Sequence, residues 1–213
     1  MAASTSFGAP PSVRVFERWV ECVQASRSTE RVERGDSGVD RAEVEASLGG
    51  DHDAFARLVG RHQPAIARQM LRFTRDRGQR EELVQDVFVE AYSSLAGFSG
   101  RGSFAAWLRV LAVRTGYRFW RERDRERARR ASADEALPPA PDGNEPREAA
   151  EWLHALLAKL PPRDRLVLNL LYLDDCSVAE AAELTGWGLS MVKVQAFRAR
   201  KKLRALLDAE QRR

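Results

Sequence analysis

The stretch that decides the fold is residues 177–203, with the sequence SVAEAAELTGWGLSMVKVQAFRARKKL. Ser177 and Glu180 have the spacing of a capping box, in which each side chain binds the backbone amide of the other residue, so they predict the start of a helix. That helix would bury its apolar side chains, Val178, Ala181, Ala182 and Leu184. The glycines within residues 185–188 interrupt the helical pattern and predict a turn.

A second helix is predicted from about Leu189. Its apolar positions recur at the spacing of one helical face: Val192, Ala196, Ala199 and Leu203. Residues 189–204 include six Lys or Arg and no Asp or Glu. The opposite face and its flanks hold the candidate DNA contacts Ser190, Lys193, Val194, Phe197, Arg198 and Lys201. Two helices, a glycine turn and one-sided positive charge indicate a helix-turn-helix, although a solvated basic helix has the same composition.

Charge is distributed unevenly along the 213 residues, which carry a net charge of +4 and are 44% hydrophobic. Residues 51–130 have a net charge of +7, residues 131–155 a net charge of −5, and residues 156–213 a net charge of +4. Two basic blocks separated by an acidic segment indicate two sites for one polyanion. Nucleic acid is the expected polyanion, and an anionic membrane surface is the alternative. Because no run of about eighteen apolar residues is present, no membrane insertion is predicted.

The sequence contains no recognisable catalytic or metal-binding motif. Cys22 and Cys176 belong to no Cys-x-x-Cys or Cys/His cluster, as expected in a reducing cytoplasm, and the first residues have no secretory signal. The histidines, His52, His62 and His154, are scattered. We therefore predict a cytoplasmic protein that is not an enzyme and that has no cofactor or metal.

The strongest amphipathic pattern of the first half is a helix predicted over residues 80–95. Its apolar stripe consists of Leu83, Val84, Val87, Phe88, Ala91 and Leu95. Carboxylates are concentrated around Gln85 and Asp86, and this patch is either ordinary solvation or a docking face for a basic protein. An earlier helix is predicted over residues 65–73, with Pro64 near its start.

A glycine-rich loop at residues 97–104 leads into a long helix predicted over residues 103–130. Residues 109–130 contain nine Arg and three acids, interleaved with aromatic residues. Rings beside guanidinium groups are typical of single-stranded nucleic acid binding, and the alternative is that most of the rings belong to the core. The residues assigned to the core are Trp107, Leu108 and Leu111. The candidate nucleic-acid contacts are Phe98, Ser99, Arg101 and Arg114.

Residues 131–150 contain four prolines and several acids without an apolar period, which predicts a linker. The predicted fold is all-α, with two small helical domains joined by this flexible acidic linker. The domains are predicted at residues 39–130 and 151–207. Residues 1–38 are predicted to be a mostly disordered extension, and residues 208–213 a tail.

Four segments, in this order, resemble the sigma-70 family of RNA polymerase sigma factors, in particular the extracytoplasmic-function type: DHDAFARLVGRHQPAI, EELVQDVFVEAY, GFSGRGSFAAWLRVLAVRTGYRFWRER and LAKLPPRDRLVLNLLYLDDCSVAEAAELTGWGLSMVKVQAFRARKKLR. The resemblance covers about residues 41–207. Each segment alone is moderately specific for the family. Their order and spacing, together with the acidic linker between them, are strong evidence for the resemblance. The resemblance implies a factor that binds core RNA polymerase and directs promoter-specific transcription initiation, with sigma region 2 in the first domain and region 4 in the second.

The resemblance also implies roles for three groups of residues. Docking on the clamp helices of the polymerase largest subunit is implied for Glu82, Gln85, Asp86 and Val89. Capture and melting of the minus-ten element is implied for Phe98, Ser99, Arg101, Ser103, Arg114, Arg118 and Arg121. Reading of the minus-thirty-five element in the major groove is implied for Ser190, Lys193, Val194, Phe197, Arg198 and Lys201. The implied partners are promoter DNA and the clamp helices and flap of core polymerase, and many members of the family also bind an anti-sigma factor.

The residues alone leave other hypotheses open. One is a helix-turn-helix regulator that binds DNA as a homodimer without polymerase. The carboxylates around Asp86 favour the sigma factor, because such a regulator has no use for a polymerase-docking face. Another hypothesis is a helical adaptor whose arginines only keep its surface solvated. This hypothesis predicts no salt-dependent affinity for DNA.

Overall fold

The computed structural model describes residues 37–129 and 146–210. All regular structure in these two ranges is helical, in agreement with the all-α prediction. Residues 1–36 of the predicted N-terminal extension, most of the predicted linker and the last three residues of the predicted tail lie outside the described residues. Residues 37 and 38, predicted to belong to that extension, instead begin the first helix. No helix within the described ranges is long and apolar enough to cross a lipid bilayer.

The described ranges contain eight α-helices. They are α1 (Ser37–Leu48), α2 (His52–Met70), α3 (Arg77–Ser94), α4 (Phe104–Arg129), α5 (Pro146–Ala158), α6 (Pro162–Leu168), α7 (Val178–Thr185) and α8 (Leu189–Glu210). A 3-10 turn follows α3, and a π turn follows α6. The described residues form two compact units. The first unit holds residues 37–129 and 176–193, and the second holds residues 146–175 and 194–210.

In the first unit, α2 is one continuous helix, so the prediction of a new helix near Pro64 is wrong. Every fourth residue of α2 is buried: Ala54, Leu58, His62, Ile66 and Met70. Pro64 removes the donor that would bind the Gly60 carbonyl, but both residues are exposed, so water can bind that carbonyl. The buried stripe therefore keeps the helix intact across the proline.

The apolar stripe predicted for α3 is confirmed, since all six of its residues are buried. α3 packs against α4, and Glu90 joins them by accepting hydrogen bonds from Thr115 Oγ1 at 3.2 Å and Arg118 Nη2 at 3.1 Å. Trp120 of α4 is buried, and its indole N–H donates to the Phe73 carbonyl at 2.8 Å. This ring is therefore part of the core and not a stacking group for bases.

Residues 176–193 belong to the first unit because α7 and the residues beside it contact α4. Arg109 Nη2 donates to Cys176 Sγ at 3.2 Å, and the Tyr117 and Trp187 rings meet edge to face with centroids 6.2 Å apart. The bounds of residues 39–130 and 151–207 for the two domains remain a prediction.

In the second unit, α5 begins at Pro146, inside the stretch predicted as linker. Proline suits the first helical position because the amide it lacks would have no partner there. Two adjacent charged residues of α6 are buried. Arg165 donates to carbonyls at the end of α5, and Asp164 accepts hydrogen bonds from Gln195 Nε2 and Lys202 Nζ of α8. These contacts fix the rotation of α8 within this unit.

Candidate functional site

One side of α3 combines carboxylates with exposed apolar surface. We call it the acidic face, and it consists of the predicted polymerase contacts Glu82, Gln85, Asp86 and Val89, all of them exposed. The helix begins where the Asp76 carboxylate accepts a hydrogen bond from the Gln79 amide at 2.8 Å. The buried stripe on the opposite side of α3 fixes the rotation of the helix, so the acidic face points to solvent.

Nothing in the described part of the chain pairs with the polar groups of the acidic face. Carboxylates beside it are engaged, since Glu81 and Glu90 form ion pairs with arginines at 2.8 and 3.1 Å. The three polar side chains of the acidic face itself make no hydrogen bond or ion pair within residues 37–129 and 146–210. Val89 is 66% exposed. An exposed apolar residue surrounded by available polar groups is typical of a protein–protein interface.

Tyr92 was not among the predicted contacts, but it lies at the edge of the acidic face and is 47% exposed. Its hydroxyl hydrogen-bonds with His52 Nδ1 at 3.1 Å, and its ring meets the Phe55 ring with centroids 4.9 Å apart. The position of Tyr92, three residues after Val89 on one helix, is the signal that identifies it.

The loop between α3 and α4 exposes three of the predicted minus-ten residues, Ser99, Arg101 and Ser103. Gly100 has a φ of +67°, in the left-handed region that favours glycine, and this turns the loop. The Ser103 hydroxyl accepts a hydrogen bond from the Ala106 amide at 3.1 Å. This side chain therefore caps the start of α4 and positions the loop at the same time.

Phe98, the aromatic residue of the same loop, belongs to a cluster of rings. Its ring centroid lies 5.4 Å from that of Trp107 and 5.8 Å from that of Phe104. Phe104 is buried, whereas Phe98 and Trp107 are half-buried, although Trp107 was predicted to be core. The exposed parts of the Phe98 and Trp107 rings are the apolar surface that this loop offers to a ligand.

The three predicted arginines of α4 have different surroundings. Arg114 is exposed and makes no hydrogen bond or ion pair within the described ranges. Arg118 binds the Glu90 carboxylate, and Arg121 lies over the Tyr117 ring at 5.8 Å. Arg114 is therefore the most available of the three for a phosphate.

The capping box predicted at Ser177 and Glu180 is confirmed. The Ser177 amide donates to Glu180 Oε2 at 2.7 Å, and the Glu180 amide donates to Ser177 Oγ at 3.1 Å. The bond from the Ser177 amide lowers the pKa of Glu180, because it stabilises the carboxylate. At the other end of α7, Gly186 has a φ of +72° and its amide donates to the Ala182 carbonyl at 2.8 Å. The predicted glycine turn thus ends α7 with a left-handed cap.

The basic face of α8 consists of the six predicted DNA contacts, Ser190, Lys193, Val194, Phe197, Arg198 and Lys201, and all six are exposed. The apolar face predicted for the same helix is buried: Val192, Ala196, Ala199 and Leu203. Two other cations of α8 have internal partners, since Arg200 donates to the Tyr172 hydroxyl at 2.7 Å and Lys202 donates to Asp164. No side chain of the basic face has such a partner among the described residues. Its cations are therefore available to phosphates and base edges.

Comparison with known proteins gives matches to both halves of the chain. The family model for Sigma-70 region 2 matches residues 58–126, and the model for Sigma-70, region 4 matches residues 150–203. RNA polymerase sigma factor CnrH of Cupriavidus metallidurans is 32% identical over 188 residues, which cover 80% of this chain and 95% of CnrH. ECF RNA polymerase sigma factor SigW of Bacillus subtilis is 27% identical over 172 residues, covering 74% of this chain and 91% of SigW. The structure of CnrH in complex with the cytosolic domain of CnrY matches with a TM-score of 0.52 and 30% identity, over 80% of this chain and 98% of that chain.

These matches show that the chain belongs to the sigma-70 family. Within that family it is an RNA polymerase sigma factor of the extracytoplasmic-function type, and its function is to direct transcription initiation. Sigma factors are non-catalytic initiation factors. Membership of the family favours the polymerase-dependent hypothesis over the stand-alone regulator and the helical adaptor.

Proposed function

We propose that this sigma factor divides its work among the three surfaces described above. The acidic face of α3 docks on the clamp helices of the polymerase largest subunit, the loop and α4 capture and melt the minus-ten element, and the basic face of α8 reads the minus-thirty-five element. The observation that carries the proposal is on α8, where six predicted contacts are exposed and without partners in the described ranges, while neighbouring cations are engaged.

The proposed domains are region 2 at residues 39–130 and region 4 at residues 151–207, joined by a linker at residues 131–150. The family matches at 58–126 and 150–203 support this division. The chain makes and breaks no bond itself. It acts in the cytoplasm, where core polymerase and the genome are found.

Docking through the acidic face rests on its mixture of charge and apolar surface. Val89 offers apolar area that a partner can cover, and the carboxylates of Glu82 and Asp86 can pair with basic groups around it. Charged groups at the edge of an interface contribute most to orientation and to the rate of association. Reversing one of them places like charges opposite each other, which costs several kcal/mol of binding free energy, on the order of a hundredfold or more in affinity.

The minus-ten role rests on groups that single-stranded DNA can use. Arg101 and Arg114 are exposed cations, and the Phe98 and Trp107 rings are partly exposed. Phe98 lies three residues before Arg101, and Trp107 lies seven residues, about two helical turns, before Arg114. A base that stacks on such a ring gains about 1–3 kcal/mol, and a cation nearby neutralises its phosphate. Together these groups can stabilise an unpaired strand relative to the duplex.

Reconstitution with core RNA polymerase tests the proposal. We expect the holoenzyme to start transcripts on genomic DNA at sites that bare core does not use, as mapped by sequencing of transcript 5′ ends. Asp86→Arg should abolish co-purification with core, while circular dichroism shows an unchanged fold. Glu45→Arg is the matched control, since it reverses an exposed carboxylate of α1 that only pairs with Arg41. Normal co-purification of Asp86→Arg, or no new transcript starts from the holoenzyme, would contradict the proposal.

An anti-sigma factor is proposed as a further partner. The support is that the related sigma factor CnrH was solved in complex with the cytosolic domain of CnrY. The test is to purify a protein that is recovered together with this chain from its own cells. That protein should lower the amount of holoenzyme that the chain forms with core polymerase. A co-purified protein that leaves holoenzyme formation unchanged is not an anti-sigma factor.

A further inference from the structure

The centre of the basic face of α8 is apolar. Val194 and Phe197 are 49% and 64% exposed, and Met191 one turn earlier is 47% exposed. At 100° per residue, Val194 and Phe197 lie on the same line of the helix as Ser190 and Lys201, directly opposite the buried stripe. The cationic side chains of Lys193 and Arg198 flank this line. Exposed apolar side chains of this size, in the middle of a charged surface, indicate a binding site.

Packing within the described part of the chain does not explain these side chains. The core side of α8 is formed by other residues, which are buried to between 0 and 9% exposure: Val192, Ala196, Ala199 and Leu203. Val194 and Phe197 make no ring contact with any described residue. Replacing them with polar residues would bury no polar group and would leave the core unchanged. Their apolar character therefore serves a ligand.

The surrounding charge identifies the class of ligand. Lys193, Arg198 and Lys201 surround the apolar line, and no carboxylate lies on α8 between Leu189 and Arg204. These cations therefore fit a polyanion. The part of the polyanion that faces Val194 and Phe197 must present an apolar group, because these side chains neither donate nor accept hydrogen bonds. In the major groove of duplex DNA, the base-pair edge that meets this requirement is thymine, through its C5-methyl group.

We propose that Val194 and Phe197 select thymine at one or two positions of the upstream promoter element by packing against its C5-methyl group. This inference rests on the proposed function, in which α8 lies in the major groove. Met191 extends the same apolar surface toward Arg198. The cations hold the helix on the phosphates, and the apolar pair supplies part of the sequence preference.

The experiment removes the methyl group from the DNA, so it does not depend on the folding of a variant. The upstream element is first located by footprinting of the reconstituted holoenzyme on a mapped promoter. Each thymine in the footprint is then replaced singly by deoxyuridine, which keeps every hydrogen-bonding group, and holoenzyme affinity is measured. We expect about a fourfold loss at one or two positions, which corresponds to the ~0.8 kcal/mol of one buried methyl group, and no change elsewhere.

Protein variants assign the effect to residues. In Val194→Ala and Phe197→Ala, thymine and deoxyuridine at the sensitive positions should be bound equally. Both residues are exposed, so helix content measured by circular dichroism should not change. Lys201→Ala is the matched control: it should weaken binding to both DNAs equally and lower the salt dependence by about one phosphate contact.

Each outcome has a definite meaning. The inference is overturned, and the proposed function left intact, if the holoenzyme gives an upstream footprint but binds every deoxyuridine-substituted DNA with full affinity. The same holds if the footprint contains no thymine. Discrimination that persists in both alanine variants also overturns it, because other residues must then recognise the methyl. Absence of an upstream footprint from an active holoenzyme contradicts the proposed role of α8 itself. Loss of core binding in Val194→Ala and Phe197→Ala would mean that a protein covers the apolar line and that DNA does not.

Discussion

Arg165→Met should destabilise the second unit strongly. Arg165 is 5% exposed, and its guanidinium donates to three carbonyls that end α5 and its following turn. The donor–acceptor distances are 3.0 Å to Leu157, 2.7 Å to Ala158 and 3.2 Å to Leu160. The last carbonyls of a helix have no intrahelical donor, so this side chain supplies donors that the backbone lacks. Methionine keeps much of the apolar stem and removes all of the donors.

The size of the destabilisation depends on which of the three carbonyls have another hydrogen-bond donor. The Leu157 carbonyl also accepts from the Leu160 amide at 3.0 Å, and the Ala158 carbonyl is only partly buried, so water can reach it. The Leu160 carbonyl is buried at its bond with Arg165. A buried acceptor left without a donor costs about 1–3 kcal/mol, so one complete loss and two partial losses give about 2–4 kcal/mol. For a domain of this size that lowers Tm by roughly 10–25 °C.

Hydrogen exchange resolved by mass spectrometry is the assay, because it reports each unit separately. A loss of about 3 kcal/mol should speed exchange roughly a hundredfold in peptides of α5 and α6 and leave those of α2 and α3 unchanged. Arg204→Met is the matched control: the same substitution at an exposed position of α8 in the same unit, without a hydrogen bond or ion pair among the described residues, should change stability by about 0.5 kcal/mol or less. If Arg165→Met exchanges no faster than Arg204→Met, the three hydrogen bonds of Arg165 do not stabilise this unit.

Three further predictions concern the first unit and the surfaces around it. A Cβ at Gly116 would lie 2.4 Å from the buried Phe73 ring, so Gly116→Ala should lower the urea midpoint of unfolding through about 1–3 kcal/mol of overpacking. Gly60 has open space around it, so Gly60→Ala should raise the midpoint instead. The cap hydrogen bond lowers the pKa of Glu180 below its ordinary value of 4.5. The stability that this bond gives should therefore be complete above pH 4.5 and lost as pH falls through the lower pKa of the folded state. Glu180→Gln should remove this part of the pH dependence of urea unfolding. Arg114→Ala should reduce permanganate reactivity of minus-ten thymines in the holoenzyme without reducing core binding, and wild-type reactivity would exclude Arg114 from melting.

Local patterns account for the features that the sequence predicted correctly. The capping box at Ser177 needs only a three-residue spacing, and the buried faces of α3 and α8 need only the helical period. The exposed face of α8 follows from the same period, so its residues could be named in advance, whereas the four residues of the acidic face were implied by the resemblance to the sigma-70 family. These features are decided within one or two turns of a helix, so they are independent of the rest of the fold.

Features that depend on distant residues could not be predicted in this way. Proline usually starts or breaks a helix, yet Pro64 lies inside α2 because the buried stripe on its other side continues past it. His62 is one of the scattered histidines of the sequence, and it is buried with its Nε2 3.0 Å from Asp40 Oδ2, 22 positions away in the sequence. No spacing rule connects two residues that meet only after α1 packs on α2.

The cations of α8 show most clearly where prediction from sequence ends. Lys201 and Lys202 are adjacent and chemically identical, and both belong to a basic run that indicates DNA binding. The structure separates them, because the 100° between neighbours turns Lys202 toward the buried Asp164 carboxylate and leaves Lys201 with no partner among the described residues. Asp164 is 1% exposed, so it needs a cation close by, and Lys202 is committed to the fold before any DNA is present. The net positive charge of a helix therefore overstates its DNA-binding surface, and the contacts available to a phosphate are those that the core has not already used.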